Sequence, residues 1–195
     1  ELGKYEEQFA KEVVQGTDKK EKEVEKKKKR SLHGFFSKNK ENAHARMQGD
    51  VCIAADPSMW GNENYFEFVL FDQERERCMG TVMLLKMEED DGKKYLFYGP
   101  NPSVSLCNEV SAKQLFQKLL SYVITFAQNN DFDGILTSTT RGNATNREGT
   151  FFTALQNAVL KDTQKKERTI KLKKEHELSR SYKYKGAYPV LWVRE

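Results

Sequence analysis

Residues 65–98 read YFEFVLFDQERERCMGTVMLLKMEEDDGKKYLFY, and this stretch decides the fold class. It contains three runs rich in aromatic and aliphatic side chains, a composition typical of buried strands: residues 65–71, 77–87 and 94–98. Polar turns separate the runs, and Asp91-Gly92 is a strong hairpin signal before the third. The stretch therefore predicts three antiparallel strands in succession.

The chain beyond the third strand alternates between helix and strand patterns. Residues 99–110 open on Gly-Pro-Asn-Pro and predict a loop that ends the sheet. Ser111-x-x-Gln114 is a capping box, and helically spaced apolar residues follow it: Leu115, Phe116, Leu119, Leu120, Val123, Ile124 and Ala127. Residues 134–139 then predict a short strand parallel to the strand before the helix, because a crossover connects the two.

A second helix and two closing strands complete the pattern. A second capping box, Thr145-x-x-Glu148, precedes an apolar helical face that begins at Phe151 and Phe152. Residues 168–172 and 188–193 predict the closing strands, and a short apolar run at residues 51–55 predicts one more before the meander. The predicted fold class is α+β over residues 50–195, a mixed sheet with an antiparallel meander and two main helices packed on it.

Residues 1–49 predict a charged N-terminal arm. Residues 4–15 have the spacing of a short helix, with Tyr5, Phe9, Val13 and Val14 roughly on one side. Residues 19–30 contain eight basic residues, three acidic residues and one valine, so they cannot bury an apolar face. We interpret them as a solvated helix or linker, with a nucleic-acid or acidic-membrane patch as the alternative.

Charge and cysteine usage limit the function classes. The chain carries a net charge of +4, with +4 in residues 1–49, −6 in residues 50–160 and +6 in residues 161–195, so basic flanks that could bind a polyanion enclose an acidic middle. No apolar run is long enough for a membrane span. The three cysteines lack metal-site spacing and predict free thiols without a structural metal. Together with a start at Glu1 and no signal peptide after it, they predict an intracellular, cytoplasmic domain of a larger protein.

The order of elements over residues 64–193 resembles the GNAT superfamily of acetyl-CoA-dependent acetyltransferases. The likeness rests on Gly80 within the second meander strand, on the strand at residues 95–98, on the helix at residues 115–127, and on the segments FDGIL (132–136) and NATNREGTFFTAL (143–155). It implies a GNAT-like fold, acetyl-CoA as the cofactor, no metal, and transfer of an acyl group from a thioester to an amine. Phe151 and Phe152 stand on the helix where the family often has a tyrosine that acts as acid toward the leaving thiolate.

The resemblance places the cofactor between the third meander strand and the strand after the long helix. Ser111, the N–H groups of that helix start and Lys113 would meet the phosphates. Asn143 and Asn146 lie between a strand end and a helix start, a common location for ligand recognition. Residues 102–113 contain no glycine and include Glu109, which would repel a diphosphate. We therefore expect acetyl-CoA to bind no more tightly than about 100 μM.

Glu67 is the candidate catalytic base, because a carboxylate among apolar neighbours is suited to accept a proton from an amine. Two alternatives are that Glu67 faces solvent on an edge strand and that it pairs with Arg77 across the hairpin. Cys52, with Gln48 upstream and His176 downstream, is a weaker candidate nucleophile of the papain type.

Two further readings remain open. The acidic run at residues 88–91 is either a cation site or a solvated hairpin tip. For the whole chain, the alternative function is a non-catalytic module that binds a protein or a nucleic acid with the same fold.

Overall fold

The computed structural model describes residues 9–14, 30–38, 58–72, 77–139, 150–163, 168–180 and 182–195. Within these ranges the chain is a mixed α+β structure built on one mixed sheet with the strand order β1-β2-β3-β4-β5-β6-β8-β7. The strands are β1 (Phe9–Val14), β2 (Arg30–Ser37), β3 (Tyr65–Asp72), β4 (Arg77–Glu88), β5 (Lys94–Pro102), β6 (Gly134–Leu136), β7 (Thr169–Ser179) and β8 (Tyr182–Val193). The helices are α1 (Val104–Glu109), α2 (Ala112–Asn129) and α3 (Thr150–Thr163).

The predicted meander is confirmed. Strands β3, β4 and β5 pair antiparallel in sequence order. Gly92 has φ 81° in the turn between β4 and β5, a left-handed conformation that glycine adopts without steric cost. Gly80 lies where β4 and β5 approach closely, since a Cβ there would come within 2.6 Å of the Pro102 Cα.

The prediction that residues 99–110 form a loop is wrong. β5 continues through Gly99-Pro100-Asn101-Pro102, which pair with residues 80–83 of β4, and α1 follows from Val104. Ser103 caps α1 by accepting a hydrogen bond from the Leu106 N–H at 3.2 Å. Prolines fit in this part of β5 because it pairs with a strand on one side only, so their missing N–H groups leave no ladder bond unmade.

The N-terminal prediction also needs correction. Residues 9–14 form the strand β1 rather than part of a helix, and β1 pairs antiparallel with β2. β2 in turn pairs with β3, and Leu32 and Phe36 on it are buried in the core. The sheet therefore includes residues inside the range 1–49 that the sequence assigned to a charged arm. Residues 15–29 and the run at 51–55 lie outside the described residues.

The sheet has a core on each face. On one face α2 and α3 cover buried side chains that include Phe36, Phe66, Phe68, Leu84, Leu96, Tyr98 and Ile135. On the opposite face, side chains of the β7–β8 hairpin, Leu172, Leu178, Tyr184 and Val190, pack against Tyr65, Val69, Met83, Leu85 and Phe97. The two closing strands are longer than predicted, and they form the cover of this second face.

The crossover prediction is confirmed. Ser111 caps α2 by accepting a hydrogen bond from the Gln114 N–H at 3.5 Å, and α2 buries Leu115, Phe116, Leu119 and Val123 as expected. β6 then pairs in parallel with β5 over three residue pairs. α3 follows with Phe151 and Leu155 in the core, whereas its predicted capping box lies outside the described residues.

Candidate functional site

The pairing of β5 with β6 stops after a short distance. Tyr95, Leu96 and Phe97 pair with Gly134, Ile135 and Leu136, whereas β5 runs on to Pro102. One residue further along, the Thr137 hydroxyl donates a hydrogen bond to the Tyr98 carbonyl oxygen at 2.9 Å. Beyond it, the chain after β6 pairs with β8 through the Thr137 N–H. We use the term fork for the region where residues 98–102 of β5 and residues 137–139 are no longer paired strands.

Two prolines set the hydrogen-bonding character of the fork. Ser103 donates its N–H to the Met79 carbonyl of β4, so the alternate residues 99 and 101 also turn their backbone groups toward β4. The backbone groups of residues 98, 100 and 102 therefore point away from β4 and toward the fork. The hydrogen bond from the Thr137 hydroxyl to the Tyr98 carbonyl oxygen agrees with this orientation. Because Pro100 and Pro102 have no N–H, this edge of β5 offers the fork no backbone donor beyond Tyr98.

The N-terminal half of α2 lies on the helix face of the sheet next to the fork. Phe116, in the second turn of α2, packs edge-to-face on Tyr98 with ring centroids 6.0 Å apart, and Phe151 of α3 packs edge-to-face on Phe116 at 6.1 Å. Ser111 is half-buried at the helix start, and Lys113 is exposed. Glu109 is exposed at the end of α1, so it adds negative charge next to a helix N-terminus.

Glu67 lies on the opposite face of the sheet. It is fully buried, and the Tyr65 hydroxyl donates a short hydrogen bond to its Oε1. Burial and the neighbouring Glu67 carboxylate raise the pKa of Tyr65 well above its usual value, so this phenol stays a hydrogen-bond donor. The register from Glu67 to Met83 to Gly99 places Glu67 two strands from the start of the fork, about 10 Å at the usual strand spacing.

Both alternatives for Glu67 are excluded. β3 pairs with β2 on one side and β4 on the other, so Glu67 is not on an edge strand. Arg77 lies opposite Asp72, and its guanidinium donates to Ser105 Oγ at 2.9 Å. The sequence located this buried carboxylate correctly, but the phenol beside it was missed, although Tyr65 stands two residues away and hence on the same strand face.

The β7–β8 hairpin covers the Glu67 face. Tyr184 of β8 packs on Phe97, the last β5 residue to pair with β6, with ring centroids 4.1 Å apart. Asn62 fixes the far end of the hairpin by donating from Nδ2 to the Glu177 carbonyl at 2.6 Å. Trp60 packs edge-to-face on Tyr65 at 5.2 Å. Phe97 next to the fork and Tyr65 beside Glu67 thus lie in one core with Tyr184.

A buried hydrogen-bonded pair anchors the same hairpin to the meander. Glu89 Oε1 lies 2.7 Å from His176 Nε2, and Glu89 Oε2 accepts the Lys173 N–H at 2.7 Å. Burial raises the pKa of Glu89, but the bonds from His176 and from backbone N–H groups outweigh it and lower that pKa below its usual value. Both residues line an open groove of about 990 Å³. The sequence assigned His176 to a cysteine nucleophile instead.

The remaining site predictions divide into three groups. Asn143, Asn146 and Cys52 lie outside the described residues. Ser111 and Lys113 lie together at the α2 start, as predicted, but on the face opposite Glu67. Asp90 and Asp91 form ion pairs with Lys174 and Lys173 at 3.8 and 3.3 Å, as at a solvated hairpin tip, and the described ranges hold no group of three or more His, Cys, Asp or Glu side chains suited to a metal ion.

The basic C-terminal flank is partly neutralised. Besides the two lysines paired at the hairpin tip, Lys183 lies 3.3 Å from both Glu175 and Glu177. Glu175 and Glu177 are already counted in the net charge of residues 161–195, so only the pairs with Asp90 and Asp91 reduce the positive charge available to a polyanion below that value.

Cys78 and Cys107 are reduced, as predicted, and the Cys78 thiol donates to the Gly80 carbonyl oxygen at 3.5 Å. None of the helices that the structure describes is long and apolar enough to cross a bilayer. Comparison of the chain with models of protein families, with curated proteins and with solved structures finds no match in any of the three.

Proposed function

We propose that this chain is an N-acyltransferase-like domain that holds an acyl-CoA thioester in the fork and presents it to an amine on the Glu67 face. The observation that carries the proposal is the arrangement of the fork itself. A parallel strand pair ends after three residue pairs, a helix start lies beside it on one face of the sheet, and a buried carboxylate lies on the other face about 10 Å away. Crevices at the carboxyl ends of parallel strands are common ligand sites.

The chemistry would proceed by direct transfer. The amine nitrogen attacks the thioester carbonyl, the new C–N bond forms, the C–S bond breaks, and CoA leaves as a thiolate. Glu67 takes the proton that the amine loses, and the Tyr65 hydroxyl holds the Glu67 carboxylate in place by its hydrogen bond. The residues at the α2 start, Ser111 and Lys113, would contact the phosphates, with Glu109 opposing them.

Release of free thiol from acetyl-CoA in the presence of a primary amine tests this proposal. Glu67→Gln keeps the size of the side chain and its acceptor oxygen for Tyr65 but removes the base, so we expect at least a 100-fold loss of rate. Glu177→Gln, an exposed carboxylate on β7, is the matched control and should leave the rate unchanged. Equal rates in the two variants would contradict the role of Glu67.

A second function is favoured by the two prolines and Glu109. They remove donors and add negative charge where a CoA would bind, which favours a non-catalytic module that keeps the architecture and binds a protein. Thiol release by the wild-type chain that does not exceed the background without protein, together with no binding of acetyl-CoA at millimolar concentration, would select this second function.

A further inference from the structure

Three lysines lie together at one end of the open groove that Glu89 and His176 line. Lys86 and Lys94 line this groove as well, and Lys38 Nζ donates a hydrogen bond to the carbonyl oxygen of a further lining residue, Glu63, at 2.7 Å. Lys94 is the first residue of β5, whereas the fork lies at the last residues of that strand. The three lysines are thus separate from the site of the proposed function.

None of the three ammonium groups forms an ion pair within the part of the chain that the structure describes. The lysines of the β7–β8 hairpin differ, since Lys173, Lys174 and Lys183 each pair with a carboxylate. Like charges that no side chain neutralises repel one another, and an anionic group bound among them would offset this repulsion. This end of the groove is therefore suited to an anion.

The other charged groups around the groove offset these lysines only weakly. Glu63 and Glu88 are exposed, so water and salt screen their carboxylates. α2 contributes only uncharged side chains to the lining, Phe126 and Asn130. The remaining charged lining residues pair with one another, Glu89 with His176 and Asp90 with Lys174. The charges of the three lysines therefore act mainly on one another.

Lys86 has the surroundings that make a lysine nucleophilic. Its side chain is half-buried, and its Nζ lies 5.7 Å from the centroid of the Phe66 ring. Burial and then the positive charges of Lys38 and Lys94 lower the pKa of Lys86. A lysine that is desolvated and next to another cation loses its proton more readily, and its neutral amine then forms imines with carbonyl compounds.

We propose that Lys86 is a covalent binding site for an aldehyde that carries an anionic group such as a phosphate. The Lys86 nitrogen adds to the aldehyde carbon, and the carbonyl oxygen leaves as water with the two hydrogens of the amine. The C=N bond that remains joins the ligand to the chain, and nothing is oxidised or reduced. Lys38 and Lys94 hold the anionic group. This site does not depend on the proposed acyl transfer.

Reductive trapping of the full chain with pyridoxal phosphate tests the site. Borohydride reduces the imine to a stable amine, and peptide mass spectrometry shows which lysine carries it. The matched control is Lys183, an exposed lysine whose pKa Glu175 and Glu177 raise. Near pH 7 we expect Lys86 to be labelled at least about tenfold faster than Lys183, the effect of one pKa unit. The ratio should fall as the pH rises, because both amines are then neutral. Labelling of Lys86 no faster than that of Lys183 would overturn the proposal.

A second comparison tests whether the ligand is anionic. Pyridoxal has the aldehyde but no phosphate, so relative to Lys183 it should label Lys86 more slowly than pyridoxal phosphate does at low salt. Changing both Lys38→Met and Lys94→Met should remove this difference. Lys174→Met should keep it, because Lys174 lines the same groove but pairs with Asp90. Equal labelling of wild-type Lys86 by the two reagents would overturn the anionic ligand, and that result needs no variant to fold.

Discussion

His176 on β7 lies 2.7 Å from Glu89 in the turn between β4 and β5, and this contact connects the meander to the hairpin that covers Glu67. The β7–β8 pairing is irregular between Leu172 and His176, where β7 has three residues and β8 has one. The Lys173 N–H, inside this bulge, bonds Glu89 instead of β8. Glu89 therefore completes the hydrogen bonding of the bulge and fixes the strand opposite Tyr184.

This contact predicts a specific dependence of stability on pH. The folded pKa of Glu89 is below its unfolded value, so its contribution is fully present above the unfolded value and is lost as pH falls through the folded one. Glu89→Gln should lower the free energy of unfolding at pH 7 by about 1.5–3 kcal/mol, the range for a hydrogen bond to a charged group. In the wild type, the free energy of unfolding should decline as the pH falls below about 4.3, the ordinary pKa of glutamate, and Glu89→Gln should make this decline smaller.

Urea unfolding at a series of pH values measures this effect. Glu88→Gln is the matched control, because Glu88 is the exposed neighbour of Glu89 and should change the stability little. A Glu89→Gln protein with the same pH dependence as the wild type would refute the assignment.

The charges at the α2 start predict opposite effects on acetyl-CoA affinity. Glu109→Gln removes a negative charge near the helix N-terminus and should tighten binding by about 0.3–1 kcal/mol, the typical contribution of one charge at that position. Lys113→Glu should weaken binding by at least as much. Calorimetry at low salt measures both, with Glu63→Gln at the groove as a control that should have no effect. Tighter binding in Lys113→Glu would show that the phosphates do not lie at this helix.

The burial of β2 side chains in the core predicts that the N-terminal region contributes to folding. Phe36 is 2% exposed and packs against Phe68 and Phe126 with centroids 4.9 and 4.3 Å away. Phe36→Ala should lower the free energy of unfolding by about 3–5 kcal/mol. Thr153→Ala on the exposed side of α3 should change it by less than about 0.5 kcal/mol. An equally small change in Phe36→Ala, measured by urea unfolding, would mean that residues 30–37 are dispensable.

The sequence predicted the parts of the fold whose signals are local. The meander follows from apolar runs separated by polar turns, and α2 follows from the Ser111 cap with its apolar stripe. The spacing of Phe9 and Val13 fits a helix face as well as a short strand, so β1 was missed. β7 was predicted too short because, on an edge strand, its lysines are exposed and only alternate residues such as Leu172 and His176 are buried.

The candidate site was predictable only where one residue is informative by itself. Glu67 stands alone in an apolar strand, which marks it directly in the sequence. The pairing of Glu89 with His176 joins residues 87 positions apart, and no local pattern predicts it.

A titration of the isotopically labelled chain with acetyl-CoA, followed by backbone amide NMR, tests the central claim most directly. If the fork holds the thioester, the largest shift changes should fall at residues 96–99, 111–114 and 134–138, with a dissociation constant no tighter than about 100 μM. Shift changes confined to other parts of the sheet, or none at millimolar acetyl-CoA, would contradict the account.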